Sequence, residues 1–570
     1  MKVNLIIDGL KRHWAWILVL TLVVLANVLV RQRVYRWDMT DDKIYSLSEA
    51  SKNLLRQTDA PIEITLLLDG DLGPGFSQLR TALSETIENM RSYTRGIHVS
   101  YLNLNTADES VQRAYAERGV MPYAQETTTH SGRTQIINTF PYALVRYKGK
   151  ERLVQLFTRT LGNSETEDLN NAIRQLEFTL VEAVHQIRQE HTPTIAIYSG
   201  QNGVPERYTQ DLEKALQPYF RIKRVSIDPT RMSAHVFDPY QAVIIANPQT
   251  KFSDVERFII DQYIMRGGAV LWAVDGVKFS NDMLRSDGFT PLTENDLGLQ
   301  DLLFSYGIRI ESMLVQSIQC MEIQVNVSAD PTVPNLQLIP WTYAPQLLPN
   351  PDNPVTASMR TFVSSKFVCP ISVVGGEDGI EKTSLLITSN GNKLTLAPSE
   401  VNLSDFNPDP QGFIYRNMPI AASFEGSFRS AFAHRMVPEG VITDEPIRKQ
   451  GKKTRQVVIG CGDMVMNETE GGQPLPLGFD RATGTQYGNR DFIINCMLWL
   501  TGTEDLIPLR AKTGATLRPL NKTRAYTDRE KIEKISTILP IAILVLIGGV
   551  VWIIRRTKYA RKVKSGKWKV

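Results

Sequence analysis

Cysteine is scarce in this 570-residue chain, with only Cys320, Cys369, Cys461 and Cys496. So few cannot staple a scaffold of this length, and the fold must rest on ordinary apolar cores. The four are read as free thiols, with one or two bridges as the alternative. Histidine is nearly as rare, and no Cys or His pair has the spacing of a zinc site, so neither a metal nor a cofactor is expected. A nucleotide loop is missing too. Gly451-Lys-Lys-Thr454 has Pro446 five positions before its glycine and Lys453 where a phosphate loop needs Ser or Thr. Cys461 stands between Gly460 and Gly462, but a nucleophile elbow needs glycines two positions to either side, where Ile459 and Asp463 stand. No histidine nearby offers a base. Cys461 is therefore read as packing, and no catalytic residue is assigned.

A basic footprint is absent from the body of the chain. The chain is +4 overall, its last 16 residues are +8 and residues 1–36 are +5, which leaves residues 37–554 at −9. A mildly acidic body excludes nucleic acid as a partner. The basic tail suits anionic lipid head groups instead.

Long apolar runs are confined to the two ends, at 14–30 and 535–554. A helix of roughly 20 apolar residues crosses a bilayer and satisfies its own backbone there, so both runs are expected to be transmembrane helices. A cleaved signal peptide is the alternative for the first, and a buried core helix for the second. Retention of Lys and Arg on the cytoplasmic side places both termini inside and the body in the periplasm of the bacterial inner membrane. Gly548 and Gly549 would let another membrane helix approach closely, or are simply tolerated there.

The expected layout is a cytoplasmic N-terminus at 1–13, a span at 14–30, a membrane-proximal α/β domain at 31–190, a larger doubly wound α/β domain at 191–510, a linker at 511–534, a span at 535–554 and a basic tail at 555–570. Ser46 with Glu49 predicts a capping box. Strands are predicted at 62–68 and 97–104 with a helix at 76–93 between them, which makes a βαβ unit. The polar stretch 125–133 reads as a loop before strands at 141–147 and 152–156. A long helix follows over 165–189, with Leu169, Ile173, Leu176, Leu180 and Val184 on one stripe. That stripe is read as core or interdomain packing.

Beyond it, apolar strands at 194–199, 221–226, 242–246 and 269–274 alternate with helices at 207–216 and 253–265. This pattern predicts a doubly wound parallel sheet, completed by strands at 384–388 and 456–460 and a helix at 491–500. Ligands bind such sheets beyond the carboxyl ends of the strands. Gly200, Gln201, Asn202, Gly203, Asn247 and Asp275 all fall at those ends. They are read either as a cleft for a small anion or polar ligand, lined by backbone amides, or as ordinary βα-loop chemistry.

Several blocks carry a resemblance. They are the stretch 38–48, residues 258–268 (Phe-Ile-Ile-Asp-Gln-Tyr-Ile-Met-Arg-Gly-Gly), residues 302–309 (Leu-Leu-Phe-Ser-Tyr-Gly-Ile-Arg), Pro340-Trp341, residues 382–386 (Lys-Thr-Ser-Leu-Leu), residues 424–429 (Phe-Glu-Gly-Ser-Phe-Arg) and residues 487–492 (Tyr-Gly-Asn-Arg-Asp-Phe). In order and spacing the chain resembles the GldG family, the membrane-anchored auxiliary subunits of the gliding-motility ABC transporter of Bacteroidetes. The sequence departs where that family tends to a Gly-His-Gly-Glu-like turn, here Gly200-Gln-Asn-Gly203, and where an acidic residue is common, here Cys461. The resemblance implies a glutamine-amidotransferase-like sheet without its catalytic residues. It also implies a non-catalytic subunit whose partners are a GldF-like permease and a GldA-like ATPase. Kept beside it are an envelope scaffold for motility or secretion machinery, and a membrane-tethered hydrolase or amidotransferase using Cys461 or Asp275.

Overall fold

The computed structural model describes residues 46–513, apart from 129–133, 160–163, 189–191, 229–231, 329–334, 375–378, 405–409 and 444, and then 540, 544–553, 555 and 556. Helix α1 (Glu49–Arg56) is capped by Ser48, whose hydroxyl accepts from the Ser51 N–H at 3.1 Å. The capping box expected from Ser46 and Glu49 does not form. The Ser48 N–H donates instead to Glu177 at 2.7 Å, so a carboxylate from a distant helix takes the place of the local one. Strands β1 (Ile62–Leu66) and β2 (Ile97–Tyr101) are parallel neighbours joined through helix α2 (Pro74–Arg91), as the βαβ reading expects. Past helix α3 (Glu109–Glu117) come two paired strands, β3 (Tyr123–Thr128) and β4 (Thr134–Thr139), so residues 125–128 of the stretch read as a loop are strand instead. These strands are polar and Thr-rich, so β-branching favours them while hydropathy gives no alternation to detect. Strands β5 (Tyr142–Tyr147) and β6 (Lys150–Gln155) complete an antiparallel extension in the order β2-β1-β5-β6.

Helix α4 (Glu165–Arg188) buries Leu169, Leu176, Leu180, Val181, Val184 and Ile187. It leads into the central sheet. There β7 (Thr194–Tyr198), β8 (Arg221–Val225), β9 (Ala242–Ala246) and β10 (Ala269–Ala273) alternate with helices α5 (Gln210–Leu216) and α6 (Asp254–Met265). The second half supplies β11 (Cys320–Asn326), β12 (Leu336–Pro349), β13 (Glu381–Ile387), β14 (Pro419–Arg429) and β15 (Gln450–Ile459). The order is β11-β12-β13-β14-β15-β10-β9-β7-β8, with the short pair Val363–Ser364 added on β12. Strands β8, β7, β9, β10 and β15 are mutually parallel. From β15 outward every pairing is antiparallel. The expected doubly wound parallel sheet is therefore half of a mixed one, and the strand predicted at 384–388 belongs to the antiparallel half.

Alternation along the parallel strands sends Ile244, Leu271 and Val457 into one core and Ile245, Trp272 and Val458 into the other. Helix α7 (Asn489–Leu500) covers the first face and α6 the second, so both faces are dry. The first core runs on without a break through α4 to Ile64, Leu83 and Val145 of the N-terminal sheet. Helix α8 (Ile507–Thr513) packs on α4.

The two transmembrane helices are corrected. No helix among the described residues is long and apolar enough to cross a membrane. The run 14–30 lies outside the described residues. Of 535–554 only 540 and 544–553 are described, and the helical stretch 544–553 is half the length a span needs. The architecture is mixed α/β with several sheets. Residues up to Gly514 form one unit and residues from Ala515 a second, to which Gly548 and Gly549 belong.

Candidate functional site

Read across the parallel strands in chain order, the sheet runs 2-1-3-4-5, the flavodoxin-like arrangement, whose switch point falls between the first and third strands, here β7 and β9. Connections leave those two strands toward opposite faces, which opens a crevice at their carboxyl ends. A cavity of about 210 Å³ lies there. Asn202, Gly203, Asn247 and Asp275 line it, four of the six residues expected from the sequence, while Gly200 and Gln201 stand behind it.

The turn after β7 is held from below. Gln201 and Asn202 both adopt the left-handed conformation, with φ of 55° and 47°, and so does Asn247 with φ of 42°. Three of the six positive-φ non-glycine residues among the described residues thus sit at this one crevice. Such conformations persist only where the surroundings over-determine them, and here they do. The Gln201 carbonyl accepts from the Gln249 and Thr250 N–H groups at 2.8 and 3.1 Å, and the Gln201 side chain donates to Glu256 at 2.6 Å. Glu256 is also the third residue of a capping box with Ser253 at the start of α6. One carboxylate therefore fixes both a helix start and the turn after β7.

Asp275 follows β10 and is 5% exposed. Its Oδ1 accepts from the Gly462 N–H at 2.6 Å, and its main-chain carbonyl accepts from the Asn295 amide at 2.9 Å. Gly462 follows β15, and a Cβ there would sit inside the Asn247 side chain, so only glycine lets the two loops meet. Asp463, the next residue, brings a second carboxylate into the cavity. Burial and the charge of Asp463 push the Asp275 carboxyl up to about 8, against the opposing pull of the Gly462 N–H. Burial raises Asp463 as well, and Lys366 offsets part of it.

Several of the backbone amides at the crevice are already engaged. The Gly203 N–H donates to the Gly200 carbonyl, those of Gln249 and Thr250 to Gln201, and that of Gly462 to Asp275. Carboxylate and carboxamide side chains also face the cavity. Sequence reasoning missed Asp463, Lys278, Asn281 and Asn295, which also line it. Asp463 had a signal, since the strand predicted at 456–460 ends at the same edge as the others. The other three arrive on the excursion after β10, which a two-residue pairing of Val277 and Lys278 with Glu294 and Thr293 turns back to the crevice.

The candidate nucleophile Cys461 is not poised for catalysis. Cys461 is buried, its thiol donates to the Lys366 carbonyl at 3.4 Å, and burial beside Asp275 and Asp463 pushes it far from thiolate formation. All four cysteines are free, with Cys320 half-buried and the other three buried. The pseudo-phosphate-loop 451–454 lies inside β15. Among the described residues no group of three or more His, Cys, Asp or Glu side chains could hold a metal ion.

The fold is thus an α/β domain with a polar crevice at the carboxyl edge of its parallel half-sheet, where sheets of this kind hold their ligands. Residues 192–496 match the model of a family described as an ABC-type uncharacterized transport system, the auxiliary component. The chain belongs to this family of ABC transport auxiliary proteins, which implies partnership with transporter components. A second model, described only as a domain of unknown function, matches residues 41–146. No curated protein matches the chain. Among solved structures, the mmIFT52 N-terminal domain is 16% identical and covers 54% of this chain and 97% of its own, with a TM-score of 0.30. A thua-like protein from Bacteroides uniformis is 12% identical and covers 55% and 94%, with a TM-score of 0.23. Scores this low carry no argument about this chain.

Proposed function

We propose that this chain is the ligand-receiving, non-catalytic auxiliary subunit of an ABC transporter of the gliding-motility type. Its folded body faces the periplasm at the bacterial inner membrane, and it works with a GldF-like permease and a GldA-like ATPase. The observation that carries the reading is the switch-point crevice, with left-handed turn residues held rigid around polar side chains and no reactive group poised on them. Family membership supports the transporter context, and the lack of a nucleotide loop agrees with an ATPase supplied in trans. Affinity purification of the tagged chain from detergent-solubilised membranes tests it. A multi-span permease and a soluble ATPase are expected to co-purify, and repeated isolation of the chain alone would overturn the assignment. A hydrolase using Cys461 predicts loss of cell function on Cys461→Ala. The burial of that thiol leads us to expect none.

A further inference from the structure

The cavity at the switch point has a polarity that selects among ligands. At its floor, Asp275 is buried, and its Oδ1 is engaged by Gly462 while its Oδ2 meets no donor among the described residues. Beside it, the Asp463 carboxylate makes neither hydrogen bond nor ion pair among the described residues. Two carboxylates on one cavity lining, neither in an ion pair among the described residues, are the condition that a ligand cation relieves. On the same lining, Lys278 is exposed and has no carboxylate partner among the described residues. Carboxamides of Asn202, Asn247 and Asn295 stand in the remaining wall.

From this arrangement we infer that the crevice binds a small zwitterion of the free amino-acid class. The ligand ammonium lies between Asp275 and Asp463, and its carboxylate meets Lys278. The inference rests on the crevice being the ligand site of the auxiliary subunit and adds the chemistry of what it takes. Two alternatives are disfavoured by specific groups. An anion would face two carboxylates, and a diamine would bring its second charge against Lys278. A cavity of about 210 Å³ also lies below the roughly 300 Å³ at which drug-sized pockets begin, which suits a ligand of amino-acid size.

Binding should release a proton. The groups facing the floor are Asp275 and Asp463, with Lys366 behind Asp463, Lys278 at the rim and the thiols of Cys369 and Cys461 beneath. Burial keeps both thiols protonated, so the carboxylates are what titrates. In the empty crevice the carboxylate pair retains a proton near neutral pH, and an ammonium displaces it.

Isothermal titration of the full chain in detergent tests this, using glycine, alanine and glutamine as zwitterions, acetate as the anion, putrescine as the diamine and glycerol as the neutral control. The expected result is saturable binding of at least one zwitterion and none of the other three, with affinity rising about tenfold from pH 6 to pH 8 and heats that depend on buffer ionisation. Asp463→Asn should weaken binding at least tenfold. Lys278→Ala, on an exposed side chain and so without consequence for folding, should weaken zwitterions several-fold while admitting putrescine. Binding of acetate or glycerol in place of zwitterions, or zwitterion binding unchanged in Asp463→Asn, would overturn the assignment, as would no binding by any probe. None of these outcomes alters co-purification with a permease and an ATPase, so the two readings fail separately.

Discussion

Gly462 and Asp275 show how much of the crevice depends on single atoms. A methyl group on Gly462 must displace the Asn247 side chain, so Gly462→Ala is expected to destabilise the fold by about 1–3 kcal/mol, the usual effect of overpacking, as read by urea unfolding. Asp275 carries a pH signature. Its carboxyl titrates at about 8 in the folded chain against an ordinary 3.8, so over that interval the folded state holds a proton that the unfolded chain has released. Unfolding free energy therefore falls as pH rises from about 4 to about 8 and is level above. Asp275→Asn, which can still accept from the Gly462 N–H, should flatten that slope and leave the variant more stable than the parent at pH 8. Chemical denaturation of both proteins across this range checks it. Asp261 is the contrasting case of a buried carboxylate with its donors in place. It accepts from Tyr306, Ser430 and the Ala431 N–H at 2.6–2.9 Å. Asp261→Ala orphans those donors and is expected to cost about 1–3 kcal/mol for each group left unpaired.

At the level of elements, the start of α6 is where local and functional structure meet. Ser253→Ala removes a cap worth about 1 kcal/mol, and it takes one of the two hydrogen bonds that Ser253 donates to Glu256, which also anchors Gln201. The expected outcome is a lower melting temperature together with weaker binding at the crevice, measured in one thermal-shift titration. How far these elements could be read in advance follows from how each is stabilised. Strands β9 and β10 are five-residue apolar runs buried on both faces, and α4 carries an unbroken stripe, so composition and period locate them to within a residue or two. The antiparallel half is different. Strand β12 contains Pro340 and Pro345, which argue against a strand when only neighbours in sequence are considered. Strand β15 opens on the polar run 450–454, which joins the sheet because β14 lies alongside. The candidate site divides the same way. Residues that end apolar strands were legible, whereas Lys278 and Asn295 were not, because they are brought to the crevice by the two-residue pairing of Val277 and Lys278 with Glu294 and Thr293, too short to leave a period in the sequence.

At the scale of the molecule, the N-terminal sheet and the central sheet share one core through α4. Leu180 is fully buried at that junction. Leu180→Ala should cost about 2–5 kcal/mol and lower a single calorimetric transition, whereas two separated transitions would show that the sheets unfold independently. The sheet order has a further consequence. The four segments that wall the crevice begin near residues 200, 247, 275 and 462, and the last emerges only after the whole antiparallel half has been made. A nascent or truncated chain ending before Asp463 owns three sides of a container, so the crevice is completed late in synthesis and its closure reports that the body is whole.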